Sequence, residues 1–274
     1  MKNNTNRPFL FLKIFIILVT LFATHSYANE DEKVQLSLIS DSQFVGAGST
    51  LLLGLRAKLA PHWKTYWRSP GVAGYELKLN WEGSRNIKST KMLWPLPRHV
   101  ATQMGSVNAY EGDTVFPLLV EIMDPTQPVH ALVQVDMLVC DESNCLPIME
   151  TLTLDLPAGT KVESTHAPLL HLALSKVPTL NPLDDKGKNP FLIEKVEISG
   201  IHDSPPTLQI TLSKTSGSFS QHDLPELFLE MKDLLVDSPR VSLSKDQKSA
   251  LYTASVYADT NRKPISLPGL VGKT

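Results

Sequence analysis

Apolar residues along most of this chain come in short runs that alternate with polar ones. Val34-Gln35-Leu36-Ser37-Leu38-Ile39-Ser40, Leu51–Leu59, Leu77–Trp81, Val115–Ile122, Leu132–Val139 and Leu152–Leu156 keep this period of two, and Gly, Pro, Asn or Asp separate them. A period of two puts every second side chain on one face, so the runs predict half-buried strands of a sandwich. The pattern changes at about residues 157–189. Thr165–Val177 carries leucines at helical spacing, with Thr165 or His166 ahead of Pro168, which predicts a helix with proline in its first turn. Asn181–Pro190 reads as a polar linker. Alternation resumes in Leu192–Ile198, Leu208–Leu212, Leu227–Glu230, Val241–Leu243 and Leu251–Val256, predicting a second, smaller β-domain over residues 190–274. That domain ends on the turn-like Leu267–Thr274, where a sandwich normally closes on a strand. The expectation is therefore a second domain that is incomplete, short of its last strand or strands.

The first residues add a compartment. Lys2 and Arg7 give a positive start, and an apolar stretch runs from Phe9 to Ala23, broken only by Lys13. Ser26-Tyr27-Ala28 follows as a small-x-small cleavage signal, then the acidic run Asn29-Glu30-Asp31-Glu32. This is the order of a secretory signal peptide over residues 1–28. The alternative, an uncleaved anchor, fares worse because Ile14–Ala23 is too short to span a bilayer as a helix. The expectation is an exported protein, periplasmic and without a transmembrane segment once cleaved. Cleavage removes Lys2, Arg7 and Lys13 and no acid, taking the net charge from −2 to −5. A mildly acidic body without a Lys/Arg run is a poor nucleic-acid binder. Neither a Gly-rich phosphate loop nor Gly-x-Ser-x-Gly occurs, so nucleotide-binding and hydrolase readings fall away, and no cofactor is expected.

Cys140 and Cys145 are the chain's two cysteines. Export makes a disulfide between them the default state. They flank the turn-prone Asp141-Glu142-Ser143-Asn144, a four-residue connection of the kind that joins hairpin strands. Directly paired strand residues lie about 4.5–5.5 Å apart, within disulfide reach. So short a closed loop stabilises near the low end of the usual range of about 2–4 kcal/mol. An inert staple and an exchangeable bond both remain open on spacing. Asp141 and Glu142 disfavour a strongly activated thiolate, because negative neighbours raise a cysteine pKa. They do not stop the bond from being a target. Without Cys-x-x-Cys the chain is not itself thioredoxin-like. Met137 and Met149 place further soft sulfur near the pair, so a Cu(I) site of Met137, Cys140, Cys145 and Met149 is a competing reading. No histidine lies beside the pair, and His166 and His171, five apart, are poorly placed for one helical face.

Several segments, in order, resemble a known family. Pro61-His62-Trp63-Lys64-Thr65-Tyr66-Trp67-Arg68-Ser69-Pro70-Gly71 looks like its Gly-Trp-x-Thr-Tyr-Trp-x-x-Pro-Gly segment, and Leu93-Trp94-Pro95-Leu96-Pro97 like its Trp-Pro-x-Pro turn. Tyr110–Leu118 looks like its Tyr-x-Gly-x-Val-x-Pro strand, and Val139-Cys140…Cys145-Leu146-Pro147 like its redox hairpin. The family is the periplasmic N-terminal module of DsbD-like and ScsB-like thiol–disulfide reductases. The resemblance implies an immunoglobulin-like sandwich over residues 29–157 and a thiol–disulfide relay as part of a protein-disulfide reductase, and the helical and polar patterns above make residues 158–189 a connector. Its donor would be a membrane-embedded thiol reductase or a thioredoxin-like protein, its clients oxidised envelope proteins. By position, Cys140 and Cys145 are the redox pair and Tyr110 contributes to a cap over them. The ScsB-like branch also carries an association with copper tolerance. Trp63, Tyr66, Trp67, Trp81 and Trp94 are expected to pack rather than react. Two alternatives to the relay stand beside it, the Cu(I) site and a non-catalytic partner-binding sandwich. The second domain, with His202 and His222 far from any ligand set, is expected to be a spacer or docking surface.

Overall fold

The computed structural model describes residues 33–179, 189–200, 205–230 and 234–258. The proposed signal peptide, most of the polar linker, His202 and the turn-like C-terminal segment lie outside these residues. The fold is all-β: an immunoglobulin-like sandwich followed by a further β-sheet with its own core.

One sheet of the sandwich has the antiparallel order β1 (Val34–Ser40), β2 (Thr50–Leu59), β8 (Asp113–Ile122), β5 (Ile87–Met92). The other runs β10 (Cys145–Leu156), β9 (Val129–Cys140), β3 (Lys64–Gly71), β7 (Gly105–Glu111), β6 (Arg98–Thr102), with the short β4 (Lys78–Asn80) also on β9. The alternation in the sequence becomes the inner face of each sheet. Leu51, Leu53, Leu55, Ala57 and Leu59 of β2 meet Val129, Ala131, Val133, Val135, Met137 and Val139 of β9 across the core. Each such side chain taken from water contributes about 1.5–3 kcal/mol, which fixes the register, since a one-residue slip would turn the whole set to solvent. Trp63, Trp67 and Trp94 are buried in this core and Trp81 packs against it, as packing residues should.

The predicted helix is α1, Ala167–Ser175, with His166 at its N-cap and Pro168 in the first turn. Leu170 and Ala173 sit on Ile39 and Val115 behind the first sheet. Gly54 makes that approach possible: a Cβ there would stand 2.5 Å from the Leu170 side chain and 2.9 Å from that of Val115.

The third sheet has the order β11 (Phe191–Ser199), β12 (Thr207–Lys214), β15 (Ser249–Ala258), β13 (Leu234–Val236), with β14 (Arg240–Leu243) also on β15. Leu208, Ile210, Leu212, Phe219, Tyr252 and Val256 form its core. Two sequence expectations fail here and in the sandwich. Leu227–Glu230 is not a strand but an irregular segment held against the sandwich, where Ser69 Oγ donates to Leu229 O at 3.0 Å and Arg68 Nε donates to Glu230 Oε1 at 2.8 Å. Tyr110–Leu118 is not one strand, because β7 ends at Glu111 and Gly112, with φ +67°, turns the chain into β8.

Candidate functional site

The site begins with register. β9 and β10 pair so that Cys140 stands opposite Cys145, with a disulfide between them and Cα atoms 4.1 Å apart. The loop between them is tied by its first residue. Asp141 Oδ1 accepts from the backbone N–H of Ser143 (2.7 Å) and Asn144 (2.6 Å), and Asp141 N donates to Asn144 O (3.0 Å). A short acidic side chain closing its own turn in this way is why Asp suits the first loop position. Those amide bonds, with the Lys64 charge adding to them, hold the Asp141 carboxyl below its ordinary value.

The two sulfur-bearing residues differ in environment. Cys140 is 1% exposed and packs with Tyr66, Val107 and Ala109 on the outer face of its sheet, with Val72, Ala73, Val100 and Leu138 around them. Cys145 is exposed. An incoming group meets Cys145 first.

β3 supplies the floor beside the pair. The turn before it uses His62 at φ 69°, with Trp63 N donating to Ala60 O at 3.0 Å, and delivers Lys64 opposite Cys140. Lys64 is 6% exposed and donates from Nζ to Asp141 O at 3.1 Å, while Thr65 Oγ1 donates to Leu138 O at 3.0 Å. Tyr66, two residues on, shares the outer face with Lys64. Its ring is covered by Gly74, where a Cβ would come within 2.4 Å of Cδ1, and burial pushes the phenol pKa up. The sequence alone places Tyr66 with the core aromatics and gives Lys64 no role. The available signal was their spacing of two within the Pro61–Gly71 motif.

Tyr110 does not cap the pair. It is buried on the inner face of the same sheet, donates from its hydroxyl to Pro95 O at 2.7 Å, and meets Phe116 edge-on at 5.0 Å. Its burial raises the phenol pKa. Its strand neighbour Thr65 pairs with it in register, so a position close to the cysteines in the sheet still ends on the wrong face. The copper set does not assemble either. Met137 pairs with Ile148 and is fully buried in the core, whereas Met149 pairs with Asp136 and is 84% exposed on the other face. The two thioethers therefore leave the sheet on opposite sides. Among the described residues no group of three or more His, Cys, Asp or Glu could hold a metal ion. His171 lies on α1, behind the other sheet.

No helix among the described residues is long and apolar enough to cross a membrane. Comparison with curated proteins finds no match. Among solved structures, the N-terminal periplasmic domain of ScsB from Proteus mirabilis superposes with a TM-score of 0.62 at 21% identity, covering 84% of this chain and 83% of that one. That likeness is one of fold. Residues 35–157 match the family described as thiol:disulfide interchange protein DsbD, N-terminal, and the disulfide-bonded hairpin at Cys140–Cys145 falls inside the match. The match spans the sandwich, from within β1 to the end of β10.

Proposed function

We propose that the chain is a periplasmic thiol–disulfide exchange module, and that the unequal exposure of its two cysteines sets the order of events. A donor thiolate attacks Cys145 Sγ. The Cys145–donor bond forms, the Cys140–Cys145 bond breaks, and the electron pair stays on Cys140 as a thiolate. The donor's second thiol then attacks its own sulfur in the mixed disulfide, leaving a donor disulfide and a reduced pair here. Running forward, Cys145 thiolate attacks a client disulfide and one client sulfur leaves. Cys140 thiolate then attacks Cys145 Sγ, restoring the internal bond and releasing the reduced client. Two electrons pass from donor to client, and no cofactor is required. A membrane-embedded thiol reductase or a thioredoxin-like protein fits the donor, and oxidised envelope proteins fit the clients. The family match over residues 35–157 and the leader-like start of the sequence support this reading.

The observation that carries it is the contrast between the 1% exposure of Cys140 and the open Cys145. A structural staple gains nothing from one exposed cysteine, whereas exchange needs one. Equilibration against glutathione buffers should give a reduction potential above the roughly −300 mV below which structural secreted disulfides fall. In envelope extracts, Cys140→Ser should trap partners as mixed disulfides through the exposed Cys145, and Cys145→Ser should trap far fewer. A potential well below that range, with no trapped partner from either variant, would reduce the pair to a staple.

A further inference from the structure

Lys64 is the residue of the site that the exchange chemistry above leaves unused. It stands directly opposite Cys140 on the neighbouring strand. Side chains so paired leave the sheet on the same face with Cβ atoms about 4.5–5.5 Å apart. Its side chain is also largely covered where it is. Lysine is almost never fully buried unless paired, and this one is 6% exposed with a neutral carbonyl, Asp141 O, as its hydrogen-bond acceptor among the described residues. A carboxylate was within the sheet's reach on the other side. Glu111 of β7 pairs in register with Lys64, yet Nζ reaches toward the cysteine loop.

We propose that the Lys64 ammonium is the charge partner of the Cys140 sulfur, stabilising the negative charge that sulfur acquires when the Cys140–Cys145 bond opens. The inference rests on the exchange reading. In the oxidised protein both sulfurs are neutral, so Lys64 meets no charge at Cys140. When a donor thiolate bonds to Cys145 Sγ, the electron pair of the broken bond localises on Cys140. A buried thiolate would otherwise be disfavoured by desolvation, and a sulfur that cannot hold charge is a poor leaving group. The charged and titratable groups around Cys140 are Lys64 and Tyr66 on β3, Asp141 and Glu142 in the loop, and Glu111 on β7. The Asp141 carboxylate is committed to the loop amides of Ser143 and Asn144, and Glu142 and Glu111 are exposed to solvent screening. Lys64 is the cation of this set and the one held on the sulfur's own side. The same charge would lower the barrier in the return direction by keeping Cys140 ionised for its attack on a client-bound Cys145.

The test uses the full mature chain with dithiothreitol as the reductant. Lys64→Gln retains a donor for Asp141 O and removes the charge, and Lys64→Arg retains the charge. In a Cys145→Ser background the Cys140 thiol is titrated by thiolate absorbance. Lys64→Gln should raise its pKa by about one to two units, and Lys64→Arg should leave it near the unsubstituted value. In the two-cysteine protein, Lys64→Gln should slow reduction at neutral pH roughly five- to tenfold and shift the pH–rate profile, with Lys64→Arg restoring most of the rate. An unchanged Cys140 titration in Lys64→Gln, or an Arg variant as slow as the Gln variant with the same far-UV spectrum, overturns the inference. Should Lys64→Gln fail to fold, Lys64→Met, which keeps the apolar stem, is read in the same two assays. A protein without substitutions that resists dithiothreitol overturns the exchange reading instead, and its trace separates that failure from this one.

Discussion

The His99 ring lies flat on Phe228, with centroids 4.3 Å apart and planes within 14°. Both ring nitrogens are engaged as well, Nε2 at 3.2 Å from Leu227 O and Nδ1 at 2.7 Å from Ser238 Oγ. His99 belongs to β6 of the sandwich, and its partners belong to the segments that flank β13. Ser106 N donates to Asp237 Oδ1 at 3.0 Å, and Phe228 meets Trp67 edge-on at 6.0 Å. The third sheet is thus moored to the sandwich by an aromatic anchor ringed with hydrogen bonds, at positions that exclude the cysteines.

Phe228→Ala should therefore loosen the mooring without touching the chemistry. Truncating a partly buried aromatic at such a contact should cost about 1–3 kcal/mol. Amide exchange and proteolysis in residues 205–258 should rise, while the rate of disulfide reduction by dithiothreitol stays within about twofold. A collapse of that rate with the sandwich still folded would show that the third sheet takes part in exchange rather than serving as spacer or docking surface.

How much of this was legible in the sequence depends on how many faces of a strand are buried. β2 and β9 bury one face, so Leu51–Leu59 and Leu132–Val139 alternate visibly. β3 hides its period because Lys64, Thr65, Tyr66 and Trp67 are all buried, Trp67 inward and Tyr66 outward. β7 is hidden for the same reason, with Val107, Asn108, Ala109 and Tyr110 all buried. Leu227–Glu230 shows the opposite error, an alternating run whose carbonyls are taken up by side chains of another sheet. In the site, the Cys140–Cys145 pairing is local and could be read from five residues of spacing. Lys64 could not, because its place depends on which distant strand lies beside β9. Tyr110 was misplaced for a related reason: proximity along a sheet does not say which face a side chain takes.

Asp141 gives the hairpin tip a pH dependence with a definite sign. Its carboxyl is held low by the amides of Ser143 and Asn144, then by the Lys64 charge. A carboxyl depressed in the folded state contributes stability that is fully present above its unfolded value, near 3.8, and is lost as pH falls through the lower folded value. The loop should thus keep its geometry at neutral pH and begin to open only in acid below 3.8. The amide resonances of Ser143 and Asn144 should titrate together below that value. Asp141→Ala should abolish the titration and leave the rest of β9 unshifted. A midpoint above 3.8 would contradict the bonds from the Ser143 and Asn144 amides.

Removing the disulfide should cost little, and unequally at its two ends. Cys140 and Cys145 close a loop spanning a sequence separation of 5, for which chain entropy accounts for about 2 kcal/mol. Cys145→Ser replaces an exposed residue, so this loss of cross-linking should be nearly its whole effect. Cys140→Ser carries a second cost, since it replaces a sulfur packed among Tyr66, Val107 and Ala109 with a smaller, more polar hydroxyl, whose burial costs about 1–3 kcal/mol. Cys140→Ala should recover part of that second cost, because it leaves no polar group to satisfy. Urea unfolding midpoints of the three variants, compared at equal slope, read these differences directly. The order expected is Cys145→Ser most stable, then Cys140→Ala, then Cys140→Ser, all folded at 25 °C. Equal losses from the two serine variants would mean that the burial contrast between the cysteines has no energetic consequence. Unfolding of all three would mean that the bond is needed to hold the sandwich together.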